Sequence, residues 1–170
     1  MTLEELNRLP LGEASAALER CCGASAWVKQ VCAARPFRER GELLGAAERI
    51  WNALGASDWR EAFAHHPRIG DREAPRRRFA STGGWAAEEQ RGAAAASEGT
   101  LERLAEGNCA YQDRFGYIFI VCATGKSASE MLALLEARIH NDPEVELKIA
   151  AEEQMKITRL RLEKLLEEGP

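Results

Sequence analysis

Tyr117-Ile118-Phe119-Ile120-Val121-Cys122-Ala123 is the one stretch of this sequence with the character of a β-strand: seven residues rich in β-branched and aromatic side chains, between Gly116 and Gly125. A single strand has nothing to pair with and is not stable alone in water. The run is therefore expected to be an extended segment whose backbone N–H and C=O groups face something other than a neighbouring strand, such as a ligand. Everything around it carries helical periodicity. The expected fold is all-α: a compact single-domain helical bundle over residues 1–170 with one short extended segment.

Downstream of the segment, Ser127-x-x-Glu130 is a capping box opening a helix that carries Met131, Leu132, Leu134, Leu135 and Ile139. Asp142-Pro143 then caps the last and longest helix, with proline at its first position. Leu147, Ala150, Gln154, Ile157 and Leu165 share one face of that helix, and Arg161 lies in the same face. A permanently charged guanidinium in an apolar stripe requires a partner, either a structural carboxylate or an anionic ligand. Upstream of the segment, Leu101, Leu104, Asn108, Tyr111 and Phe115 alternate by three and four, with Asn108 expected to hydrogen-bond neighbouring backbone. Helical signals begin before that at Trp85 and run through Ala93 to Ala96.

At the N-terminal end, Thr2-x-x-Glu5 forms another capping box, and Pro10 to Cys22 reads as a second segment stopped by Gly23. Ser25 is expected to cap a third helix, which Arg35-Pro36 ends. Leu43, Leu44, Ala47, Ile50, Trp51 and Leu54 give the clearest apolar face, terminated by Gly55, and Asp58-x-x-Glu61 is read as the start of a short helix. Between His65 and Gly84 the periodicity stops, and Pro67, Gly70, Pro75, Gly83 and Gly84 punctuate a loop that also holds Arg72, Arg76, Arg77 and Arg78. Loops of that length inside small domains are commonly functional, which makes this one the first place to look for a site.

Composition removes several classes of function. Twenty-three Lys and Arg against 27 Asp and Glu leave a net charge of -4, which repels phosphate backbones and anionic lipid, so neither nucleic acid nor membrane is an expected partner. The first residues are interrupted by Glu4, Glu5 and Arg8, unlike a signal peptide, and five cysteines (21, 22, 32, 109 and 122) without a C-x-x-C pair are expected to be reduced core thiols of a cytoplasmic protein. Ala123-Thr124-Gly125-Lys126-Ser127 lies where a P-loop would, but that motif needs glycine at position 120, where this chain has Ile120. His65, His66 and His140 form no zinc-binding spacing, so no metal site is expected. A helical interaction module would account for the amphipathic faces but not for the loop histidine or Arg161.

His66-Pro67-Arg68-Ile69-Gly70-Asp71 resembles the hallmark of the OHCU decarboxylases, which act on 2-oxo-4-hydroxy-4-carboxy-5-ureidoimidazoline in urate breakdown. Glu89-Gln90 before an Ala-rich helix, Asn108-x-x-Tyr111-x-x-Arg114-Phe115-Gly116, Phe119-Ile120-Val121, and Lys156-Ile157 with Arg161-Leu162 follow in that family's order, so the resemblance covers nearly the whole chain. It implies an all-helical homodimer that needs no cofactor and yields (S)-allantoin and CO₂. It also implies His66, Glu89 and Arg161 as catalytic residues. The substrate would be lined by Pro67, Ala86, Ala87, Glu88, Glu89, Gln90, Phe119, Ile120, Val121, Cys122, Ala123 and Arg161. Many family members have serine three residues before the Glu of the Glu-Gln pair, whereas this chain has Ala86. The chemistry of the residues agrees with these roles. An imidazole near its ordinary pKa exchanges protons at neutral pH. Adjacent Glu and Gln match the N–H and C=O pattern of a ureido group, and a guanidinium orients a carboxylate.

Overall fold

Capping chemistry sets most of the helix starts in the computed structural model, which describes residues 1–67 and 98–167. Thr2 accepts from the Glu5 amide while the Glu5 carboxylate accepts from the Thr2 amide, and α1 (Leu3–Arg8) follows. Next come α2 (Leu11–Glu19), α3 (Ser25–Ala33), α4 (Arg40–Ala53) and α5 (Ala56–Ala64). After the undescribed stretch come α6 (Glu98–Phe115), α7 (Ala128–Arg138), opened by the Ser127/Glu130 capping box, and the 25-residue α8 (Pro143–Glu167). The Asp142 carboxylate accepts from the Glu144 amide just before α8, with Pro143 at the first helical position as expected. Among the described residues there is no strand, and residues 118–123 are neither helix nor strand, so the all-α expectation holds. No described helix is long and apolar enough to cross a membrane.

Three helix-boundary expectations need correction. Ser25 is the first residue of α3 rather than its cap, and its hydroxyl donates instead to Glu61. Asp58 lies inside α5, reaching back to accept from the Gly55 amide. Serine and aspartate at the first and third helical positions look the same in sequence as at the cap, because each can satisfy an orphan amide from either side. The second segment also ends earlier than Cys22, at Glu19, with Arg20 and Cys21 in a turn.

The contacts divide the chain into two compact units. In the first, Met1–Ala62 with the chain from Met155 onward, Leu6, Leu18, Trp27, Leu43, Trp51 and Leu162 are buried. Trp27 donates its indole N–H to the Ala47 carbonyl at 3.0 Å, so its large apolar body is buried without stranding a polar atom. Arg35 donates to the Leu6 and Leu9 carbonyls, satisfying the C-terminal end of α1. In the second unit, Phe63–Gln154, the rings of Phe63, Tyr111, Phe115, Tyr117 and Phe119 form one cluster with centroid separations between 4.6 and 6.2 Å. Gly116 closes α6 at φ +80°, a conformation that favours glycine, and turns the chain into residues 118–123.

Candidate active site

His66 lies two residues past the end of α5, where its amide donates to the Phe63 carbonyl at 3.1 Å. Pro67 comes next, and both residues are partly exposed. The imidazole is held from 88 residues away: Nε2 lies 2.6 Å from Oε1 of Gln154 on α8. Gln154 is completely buried. Its neighbour Glu153 accepts from the Cys122 amide at 2.7 Å. Two consecutive residues of α8, about 100° apart around the helix, thus hold the histidine and the non-helical segment in the same unit.

From Tyr117 to Ala123 only Ile118 is more than marginally accessible, so the segment is buried on both faces rather than alternating. Part of its backbone is held by side chains, in keeping with the expectation that these groups face something other than a neighbouring strand. Arg138 Nη1 donates to the Ile120 carbonyl at 2.8 Å, and Lys126 Nζ donates to the Cys122 carbonyl at 2.8 Å. The Lys126 ammonium is accordingly engaged with backbone, in keeping with the failed P-loop spacing. Arg138 is itself buried, and its Nε and Nη2 donate to Oε1 of the wholly buried Glu146 at 2.8 and 2.6 Å. Tyr111 donates its hydroxyl to the same oxygen at 2.5 Å, and Asn141 donates to the other carboxylate oxygen at 2.9 Å. Burial and the hydrogen bond to the Glu146 carboxylate raise the Tyr111 phenol above its ordinary value, so it remains a donor at any working pH. Asn108 donates to the Leu104 carbonyl at 2.8 Å as expected, while its Oδ1 has no partner among the described residues.

Arg161 belongs to the other unit, where it is 7% exposed and shares α8 with buried Thr158, Ile157, Leu162 and Leu165. Facing them is Cys22. Burial pushes the Cys22 thiol up to about 11, against the opposing influence of the Ala24 amide, the Thr158 hydroxyl and the positive charge of Arg161. All five cysteines are free thiols, and four are buried, but Cys109 is exposed on α6, contrary to the expectation that all five are core residues. At pH 8, a thiol reagent is expected to modify Cys109 promptly and the other four only on unfolding. A folded-state value above the ordinary 9.0 also means that the stability contributed by protonated Cys22 is complete below pH 9 and lost as pH rises toward 11. Urea unfolding at pH 8 to 11 should show this loss, with the Cys22→Ala variant falling less steeply by about 3 kcal/mol.

The structure places His66, Pro67 and the 119–123 segment in one unit and Arg161 in the other. Ala86, Ala87, Glu88, Glu89 and Gln90 lie outside the described residues, as do the four loop arginines and the Ala-rich helix. Sequence reasoning missed Gln154, Glu153, Arg138 and Glu146. A signal was present, because Arg138 falls seven residues after Met131 in the stripe with Leu135, and Gln154 interrupts an apolar face as Arg161 does.

The family model described as OHCU decarboxylase matches residues 7–163. Over 146 residues the chain is 42% identical to the uric acid degradation bifunctional protein TTL of Arabidopsis thaliana, covering 85% of this chain and 45% of that protein. It is 29% identical to the 2-oxo-4-hydroxy-4-carboxy-5-ureidoimidazoline decarboxylase of Amia calva, covering 88% of this chain and 83% of the relative. The chain thus spans less than half of the first protein and most of the second. A crystal structure of OHCU decarboxylase in the presence of (S)-allantoin superposes with a TM-score of 0.76 at 41% identity, over 88% of this chain and 96% of that one.

Proposed function

Because the chain belongs to the OHCU decarboxylase family, we propose that it converts 2-oxo-4-hydroxy-4-carboxy-5-ureidoimidazoline to (S)-allantoin and CO₂, a carboxy-lyase step in urate breakdown. The observation that carries this is the family match along residues 7–163, a range that contains His66, Glu89 and Arg161 and runs through both units. We take residues 1–170 as one functional domain on the same ground, acting as a cytoplasmic homodimer on a small-molecule substrate without a cofactor.

The substrate carries its carboxylate on the hydroxyl-bearing ring carbon, next to a C=N bond. As the carbon–carboxylate bond breaks, its electron pair moves into the ring and the C=N nitrogen gains a proton, leaving CO₂ and an enol. The enol hydroxyl then loses its proton and the neighbouring carbon gains one on a single face, which makes the stereocentre. His66 moves these protons, a duty within reach of an imidazole. Glu89 and Gln90 match the donors and acceptors of the ureido group, with Pro67, Ala86, Ala87 and Glu88 lining the substrate. The amides of Phe119, Ile120, Val121 and Ala123 complete the cradle, and the Cys122 amide, held by Glu153, anchors it.

Arg161 orients the carboxylate and offsets charge developing on the ring oxygens. It does not drive CO₂ loss, since an ion pair to the departing carboxylate stabilises the ground state more than the neutral product. Arg161→Lys keeps the charge but loses the planar fork, and is expected to weaken binding. Arg161→Met should abolish substrate binding while leaving thermal stability unchanged or higher, because an apolar group then fills an apolar stripe. Steady-state KM and kcat on freshly generated substrate and a melting curve on each variant check this. An unfolded Arg161→Met would show a structural anchor instead. The function itself is tested by generating the unstable substrate enzymatically from urate and following its disappearance. The protein is expected to accelerate the decay, before and after treatment with a chelator. Decay at the spontaneous rate would refute the proposal.

A further inference from the structure

We propose that Gln154 is a positioning residue for this reaction: it takes the Nε2 hydrogen of His66 and thereby presents Nδ1, with its lone pair, to the reacting atoms. This rests on the decarboxylase reading for the identity of the reacting atoms, but the geometry stands on its own. A side-chain amide oxygen only accepts hydrogen bonds, so at 2.6 Å from Oε1 the ring nitrogen Nε2 is the donor. In a neutral imidazole the remaining nitrogen is then the base. The amide is a stiff support because Gln154 is fully buried between Ala150 and Ile157 on its face of α8. Burying an amide where the helical stripe calls for an aliphatic residue costs free energy unless the amide is hydrogen-bonded, and the His66 contact contributes to offsetting that cost. His66 itself follows the end of α5 and is partly exposed. A fixed acceptor narrows the rotamers its ring can adopt, and a misplaced catalytic group loses rate steeply.

Three variants separate positioning from structure. Gln154→Leu removes the acceptor at similar volume and is expected to lower kcat by about 10-fold or more with KM changed by less than about 3-fold, the melting curve remaining cooperative. Gln154→Glu restores an acceptor at the same reach and adds a charge that favours the imidazolium. In substrate-free protein it should move the His66 titration, followed by NMR of the ring protons, upward by about one unit or more. The acidic limb of the kcat/KM profile should move with it. Gln154→Met serves as a second apolar replacement should Gln154→Leu fail to fold. If the His66 titration in Gln154→Glu matches the parent's, or if a folded Gln154→Leu or Gln154→Met keeps parental kcat, the inference is wrong. The NMR titration needs no substrate, so it reads the His66–Gln154 coupling even if the protein fails to decarboxylate the ureidoimidazoline.

Discussion

His66→Ala is expected to fold like the parent and to lose between about 10²- and 10⁴-fold in kcat, the usual range for removing a proton-transfer group. The fold should survive because the side chain lies past the end of α5 and is partly exposed, with Nε2 hydrogen-bonded to Gln154. Truncation does leave the buried Gln154 amide without that partner, so a loss of roughly 1 to 3 kcal/mol is expected in denaturant unfolding, within what a domain of this size tolerates. His65→Ala should be far milder in rate, since successive side chains cannot point the same way in either helical or extended geometry. Steady-state rates on freshly generated substrate check both variants. A parental rate in His66→Ala would remove the histidine from the mechanism.

The second large effect concerns stability. Arg138→Met is expected to destabilise the protein by about 3 to 5 kcal/mol in urea unfolding, because it leaves the carboxylate of Glu146 buried without its counter-charge. Tyr111 and Asn141 still donate to that carboxylate, but both are neutral. The Ile120 carbonyl loses its donor at the same time, so the segment read as part of the substrate cradle loosens along with the core. Arg138→Met combined with Glu146→Leu should recover much of the loss, since an ion pair replaced as a unit by apolar groups is often neutral. If Arg138→Met alone costs less than about 1 kcal/mol, the network is not what holds the segment.

The helices were legible where local chemistry decides them. Thr2/Glu5, Ser127/Glu130 and Asp142-Pro143 each act within one helical turn, and all three start helices as expected. Ser25 and Asp58 misled because the same residue types work equally well just inside a helix. The absence of strand pairing followed from one β-like run having no second run to join. How that run is held was not legible. Arg138, Glu153 and Lys126 reach its backbone from 18, 31 and 4 residues away, and periodicity identifies the face on which a residue lies but not its partner. His66 was found through its motif, whereas Gln154, 88 residues on, looked like one tolerated polar residue among Leu147, Ala150 and Ile157. Polar residues inside apolar stripes were informative wherever the structure describes them. Asn108, Arg138, Glu146, Gln154 and Arg161 are all buried; Arg138 pairs with Glu146, Gln154 meets His66, and the charge of Arg161 acts on Cys22.

The central claim is that this chain removes CO₂ from the ureidoimidazoline and delivers the proton to one face of the resulting enol. Circular dichroism of the product, recorded while urate is enzymatically oxidised in the presence of the protein, reads both parts at once. The account predicts a growing signal of (S)-allantoin at a rate proportional to protein concentration, lost in His66→Ala. Optically inactive allantoin, appearing at the same rate with and without the protein, would contradict it.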